Sequence, residues 1–183
     1  MANHEARPKA NAVDLLLAFA RKKDGMSNMK CIRTVIKNYD LDLTLLEAKL
    51  KVIGGTWKIH KTVNKRDTDK ARIWLIHKLI DNPEYAGCVD SLWRTALLQP
   101  NNIFGEKKFL LDIDTEDNKK VIEVDSRIKQ SNGVIDEVIK TPHGWHYIVK
   151  PFDTRNICTL DYVTLIRDGY SFVKKIGGIN EKE

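Results

Sequence analysis

The 183-residue sequence predicts an α+β fold, a mostly helical N-terminal half packed on a small, mainly antiparallel sheet. Three observations predict it. Apolar residues recur at helical spacing through much of the first hundred positions. Period-2 alternation and short apolar runs take over from about residue 106. Turn residues at Ser131-Asn132-Gly133, Pro142-His143-Gly144 and Arg167-Asp168-Gly169 cut those runs into strands. A hydrophobic fraction of 42% suffices for one core, so a single domain over 1–183 is expected, with 1–100 its helical, basic part and 106–175 its sheet part.

The elements follow in order. Residues 11–22 place Val13, Leu16, Leu17 and Ala20 at helical spacing, and 27–37 does the same with Met29, Ile32 and Ile36, which predicts two opening helices. A third helix over 43–52 ends at Gly54-Gly55. In 56–63, Trp57, Ile59 and Val63 alternate with Lys58, His60 and Thr62, the pattern of a half-buried strand with Trp57 in the core. Asp67 or Thr68 then caps a helix built on Ala71, Trp74, Leu75 and Leu79, stopped by Asn82-Pro83. Later come a strand over 108–114, a polar helix over about 117–130, and strands over 134–141 and 145–150. A last pair, 162–166 and 170–174, meets at Asp168-Gly169, which favours a hairpin. The ends, 1–9 and 177–183, read as frayed segments without chemistry.

Composition narrows the function. There are 31 Lys+Arg against 25 Asp+Glu, a net +6, and residues 49–78 hold nine basic side chains against Asp67 and Asp69, which leaves +7 in that segment. Charge gathered this way suits either a polyanionic partner or a solvated helix face. No run approaches the roughly 18 apolar residues of a membrane span, and 12–20, interrupted by Asp14, lacks the pattern of a signal peptide. Cys31, Cys88 and Cys158 are odd in number and widely spaced, which predicts buried thiols in a reduced, cytoplasmic setting.

Two constellations carry chemistry. In Phe109-Leu110-Leu111-Asp112-Ile113-Asp114, alternation puts Asp112 and Asp114 on one face, roughly 7 Å apart. Two like charges ending an apolar strand either cap the following helix or hold a hard divalent cation. In Thr141-Pro142-His143-Gly144-Trp145-His146, Gly144 permits a sharp turn, and His146, Ile148 and Lys150 share a face of the next strand, so His146 and Lys150 are placed to meet a ligand phosphate.

The runs 109–115 and 140–152 together resemble the catalytic core of the archaeo-eukaryotic primase superfamily, the primase-polymerases, and its small phage-encoded members in particular. There a hydrophobic-Asp-hydrophobic-Asp motif supplies metal ligands, and a Ser/Thr-x-x-Gly-x-His type motif contacts nucleotide phosphates. The resemblance implies an RRM-like sheet, Asp112 and Asp114 as catalytic metal-binding acids, and Thr141, Gly144 and His146 as the nucleotide motif. It implies a third metal-binding acid as well, for which Asp168 is the best candidate, although Arg167 precedes it where an apolar residue is usual. About 60 residues, 109–169, are covered well and the first hundred only loosely. In that looser part, Trp57-Lys58-Ile59-His60 through Asn64-Lys65-Arg66 resembles the basic strand and loop of small relatives, which implies that Lys58, Lys61, Lys65 and Arg66 grip a nucleic-acid backbone.

The implied function is a DNA primase/polymerase-type nucleotidyltransferase using Mg²⁺ or Mn²⁺ to add nucleotides to a nucleic-acid 3′ end. Its implied partners are nucleoside triphosphates, DNA and another replication protein. Three acids against two divalent ions would leave a net positive site for a triphosphate. Accessory helical and zinc-binding modules are absent from these residues, so de novo priming by this chain alone is not expected. Two rivals use the same residues: a repurposed domain that binds nucleotide or nucleic acid without turnover, and a metal-dependent nuclease or phosphoesterase.

Overall fold

The computed structural model describes residues 12–24, 26–36 and 38–177. The terminal segments expected to fray lie outside the described residues, apart from Gly177. The chain forms β1 (Ala12–Ala20), β2 (Lys30–Ile36), α1 (Tyr39–Ile53), β3 (Trp57–Thr62), β4 (Arg66–Asp67), α2 (Thr68–Asp81), α3 (Val89–Leu97), β5 (Phe109–Ile113), α4 (Asn118–Gln130), β6 (Ile135–Thr141), β7 (Gly144–Val149), β8 (Val163–Ile166) and β9 (Tyr170–Ile176). The fold is α+β with two antiparallel sheets, ordered β2-β1-β3-β9 and β6-β7-β5-β8, with β4 pairing β1 off the first path. No helix among the described residues is long and apolar enough to cross a membrane.

These residues divide into two compact units. Their boundaries cut across the expected helical and sheet halves, because 14–64 joins the chain from 106 onward while 65–105 groups with the Ala12–Val13 end of β1. In the smaller unit, β4 pairs with Ala12 and Val13, and Asp67 accepts hydrogen bonds from the amides of Asp69 and Lys70 to cap α2, as its sequence predicts. Val13, Ala71, Ala96, Leu97 and Ile103 are its buried apolar residues among those described.

The larger unit corrects the opening of the chain. Residues 12–20 and 30–36 are strands, not helices. In β1, Leu15 and Leu16 are both fully buried on opposite faces, and a strand covered on both sides reads as a continuous apolar run in which helical spacing also appears. The β-branched Ile32, Thr34, Val35 and Ile36 suit β2, which pairs along β1 from Asp14↔Ile36 to Ala20↔Lys30. The third helix does form: Asn38 caps the Leu41 amide, Asp42 returns a bond to the Asn38 amide, and Gly54 closes α1 at φ +76°. Leu46 and Leu50 of α1 pack on Leu16, Ala18, Trp57, Ile59 and Ile176, so one face of the first sheet is covered and Trp57 is core. Each leucine or isoleucine among them contributes about 1.5–3 kcal/mol when fully buried.

The second sheet is built the same way around β5. Val124 and Ile128 of α4 pack on Leu111, Ile113, Tyr147 and Val149. Leu110, Ile148 and His146 are buried on its other face, and β9 of the first sheet lies against β6 and β7. The final two strands do not form the expected hairpin. β8 pairs with β5 and β9 pairs with β3, so the chain changes sheets at Arg167–Gly169. Asn64 explains the turn. Its amide nitrogen donates to Asp168 Oδ1 and the Lys108 carbonyl, both at 3.1 Å, and its oxygen accepts from the Lys108 amide at 2.7 Å. Val63 N–H adds a bond to the Gly169 carbonyl. Cys31, Cys88 and Cys158 are exposed, in place of the buried thiols the sequence suggests, because none sits on an inward-facing core position.

Candidate functional site

Alternation along β5 turns Leu111 and Ile113 to the α4 core and Asp112 to the opposite face. On β7 it turns Tyr147 and Val149 to that core and His146 away from it. Asp112 and His146 are direct cross-strand partners, and His146 Nε2 lies 3.3 Å from Asp112 Oδ1. The histidine is buried at 7% exposure, while the Asp112 side chain keeps 31% of its surface. His146 Nδ1 accepts the Phe172 main-chain N–H from β9 at 3.0 Å. One imidazole thus joins both strand systems.

Gly144 has a different role from the one its turn suggests. It is not among the left-handed glycines, and Pro142-His143 makes the two-residue connection between Thr141 and Gly144. A Cβ on Gly144 would stand 1.9 Å from the Ile113 carbonyl oxygen and 3.1 Å from the Thr115 amide. Only a residue without a side chain lets the start of β7 lie against the end of β5. Thr141 and Gly144 therefore sit at the Asp114 end of β5. Asp114 N–H bonds to the Tyr162 carbonyl, extending the β5–β8 ladder one residue past the strand and keeping Asp114 in alternation with Asp112.

The first sheet supplies the facing wall. His60 stacks on Phe19 with ring centroids 5.0 Å apart, meets the edge of Phe172 at 5.6 Å, and lies 6.4 Å from His146. Burial first, then the neighbouring His146, pushes the His60 pKa down to about 4. Pairing of Phe19 with Lys58 and Cys31, and of Leu17 with His60 and Arg33, puts Lys58 and Arg33 on the His60 face. Phe19 and Arg33 escaped notice in the sequence because both fell in segments read as helices. Their only signal was the β-branched composition around Arg33.

Other expected site residues lie elsewhere. Ile166 pairs with Leu110, so Asp168 falls about 13 Å along the sheet from Asp112 at ~3.3 Å per residue. There it bonds Asn64. Lys150 lies four residues past His146, at that same end, and pairs with Glu106 at 3.1 Å, which raises its pKa. Lys61 sits over the Tyr39 ring on the α1 side at 5.4 Å. Arg66, 1% exposed in the smaller unit, is buried and offers no surface grip, while Lys65 of that unit is exposed. Thus Asp112, Asp114, Thr141, Gly144 and His146 are brought to one place, and Asp168 and Lys150 are not.

For a divalent ion, Asp112 and Asp114 offer hard carboxylate oxygens, which fits Mg²⁺ or Mn²⁺ that keep several waters and take further oxygens from phosphate. Among the described residues no three His, Cys, Asp or Glu side chains are grouped to hold an ion. Comparison of the chain with protein-family models, curated proteins and solved structures finds no match.

Two outcomes follow. Gly144→Ala is expected to cost about 1–3 kcal/mol in urea unfolding, more than Gly169→Ala, whose added Cβ meets a movable Ile166 methyl group. His60 takes up a proton near pH 6.5 when unfolded but only near pH 4 when folded. Its contribution is therefore intact above pH 6.5 and lost as pH falls toward 4, by at most about 1.4 kcal/mol per pH unit, less where solvent reaches the ring. His60→Phe, which keeps the stack, is expected to flatten that dependence in unfolding curves at pH 7, 6 and 5.

Proposed function

We propose that this chain is a metal-dependent nucleotidyltransferase of the DNA primase/polymerase type, acting on a nucleoside triphosphate and a nucleic-acid 3′ end, with its site between the two sheets of the larger unit. The observation that carries the reading is the pairing of Asp112 with His146 on adjacent strands, with Asp114 and the Thr141–Gly144 turn beside them. Mg²⁺ or Mn²⁺ bound by Asp112 and Asp114 would supply Lewis-acid activation of the hydroxyl and charge neutralisation at phosphorus. His146 directs an N–H toward the acid cluster and is placed to donate it to a phosphate oxygen. Lys58 and Arg33 bring positive charge to the same face, where phosphates gain affinity without sequence readout. Phe19 and His60 give that face an aromatic surface for a base. The cytoplasm, where nucleotides and template meet, is the setting that goes with this reading.

One observation favours a second reading, a domain that binds nucleotide or nucleic acid without turnover. Asp168, the candidate third acid, is committed to Asn64 at the far end of β5.

Incubation with Mg²⁺ or Mn²⁺, a primed template and labelled nucleotides separates these. Extension is expected, with Asp112→Asn lowering the rate by at least about 100-fold and Asp168→Asn leaving it within about threefold once matched for folded fraction. Nucleotide binding without extension would establish the second reading instead, and shortening of the strand would mark a nuclease.

A further inference from the structure

The antiparallel ladder between β3 and β9 slips by one residue at its middle. Ile59 pairs with Lys174 and His60 with Phe172, so Val173 has no partner on β3. Such a bulge interrupts the ladder and re-aims the groups beside it. Next to it, the Phe172 N–H points out of the first sheet and onto His146 Nδ1 of the second, at 3.0 Å.

We infer that the β9 bulge at Val173 is a positioning device that fixes the tautomer of His146, holding Nδ1 as acceptor and Nε2 as N–H donor toward Asp112. A main-chain amide can only donate, so the nitrogen it meets must present a lone pair. The single proton of the neutral ring then resides on Nε2, 3.3 Å from Asp112 Oδ1. The residue is only 7% exposed, so the main-chain amide holds Nδ1 in a site with little solvent contact. His146 is therefore a fixed N–H donor to an anionic oxygen, whether that of Asp112 or of a phosphate entering beside it. Neither nitrogen has a lone pair free for a metal. The Phe172 amide acts through His146, so it and the bulge are positioning elements. The inference rests on the bonds of His146 and holds whether or not the domain transfers nucleotides, although it specifies what His146 does if it does.

Long-range ¹H–¹⁵N correlation spectra of ¹⁵N-histidine-labelled full chain test it, with His146 assigned by its loss in His146→Gln. The expected pattern is an unprotonated Nδ1 and a protonated Nε2 for His146, against averaged shifts for the exposed His143. The same pattern is expected in Asp112→Asn, because the Phe172 amide and not the carboxylate sets the tautomer. A protonated Nδ1, averaged shifts in the unmodified chain, or averaging in Asp112→Asn would each overturn the inference. Deleting Val173 is expected to bring the two shifts together wherever the variant folds, and a retained tautomer in that folded variant would overturn it too. Primer extension is read separately, so loss of one result leaves the other standing.

Discussion

Two antiparallel sheets meet in the larger unit, and polar bonds at two points set how they meet. At one end Asn64 bonds Lys108 and Asp168 together; at the other His146 bridges Asp112 and the Phe172 amide. These bonds are worth little beside the packing. A net hydrogen bond contributes about 0.5–1.5 kcal/mol, whereas each leucine, isoleucine or valine buried under α1 or α4 contributes about 1.5–3. Apolar burial therefore holds each sheet to its helix, and the polar bonds choose the register in which the sheets face one another. Without that choice Asp112 and His60 would have no fixed relation, and the seam would be only an apolar contact.

The same constraint explains the path of the chain. A segment that leaves β8 could turn back beside it, as Asp-Gly invites. Instead Asn64, 2% exposed, captures Asp168 and delivers β9 to β3. The crossing puts β9 against β6 and β7, where its bulge can reach His146. An acid that the family resemblance assigns to metal binding is here an anchor of the crossing. A carboxylate in a conspicuous turn is as useful to folding as to chemistry.

Much of the second half was legible because its signals are local. Alternation in β5 and β7 put Asp112 and His146 on one face of their strands, and Asp67, Asn82-Pro83 and Gly54 marked helix ends by their own chemistry. The first half was less so. Leu15 and Leu16 are buried on opposite faces of β1, a pattern that local spacing cannot distinguish from a helix. That misreading hid Phe19 and Arg33, since membership of a face depends on pairing partners distant in sequence. The partner of β9 is likewise a tertiary fact, set with the help of Asn64 about a hundred residues earlier. Gly144 was visible as a motif residue, yet the reason for it, the Ile113 carbonyl 1.9 Å from any Cβ, exists only in the fold.

The functional reading follows from the seam. A carboxylate that retains solvent contact, a buried imidazole donor beside it and basic residues on the opposing face are what a phosphate-bearing ligand and a hard cation would require. All of it depends on Asp112 and His146 interacting across their strands. A double-mutant cycle combining Asp112→Ala and His146→Ala, read by urea unfolding at neutral pH, measures that interaction directly. A coupling energy of about 1 kcal/mol is expected, and strictly additive losses would contradict it.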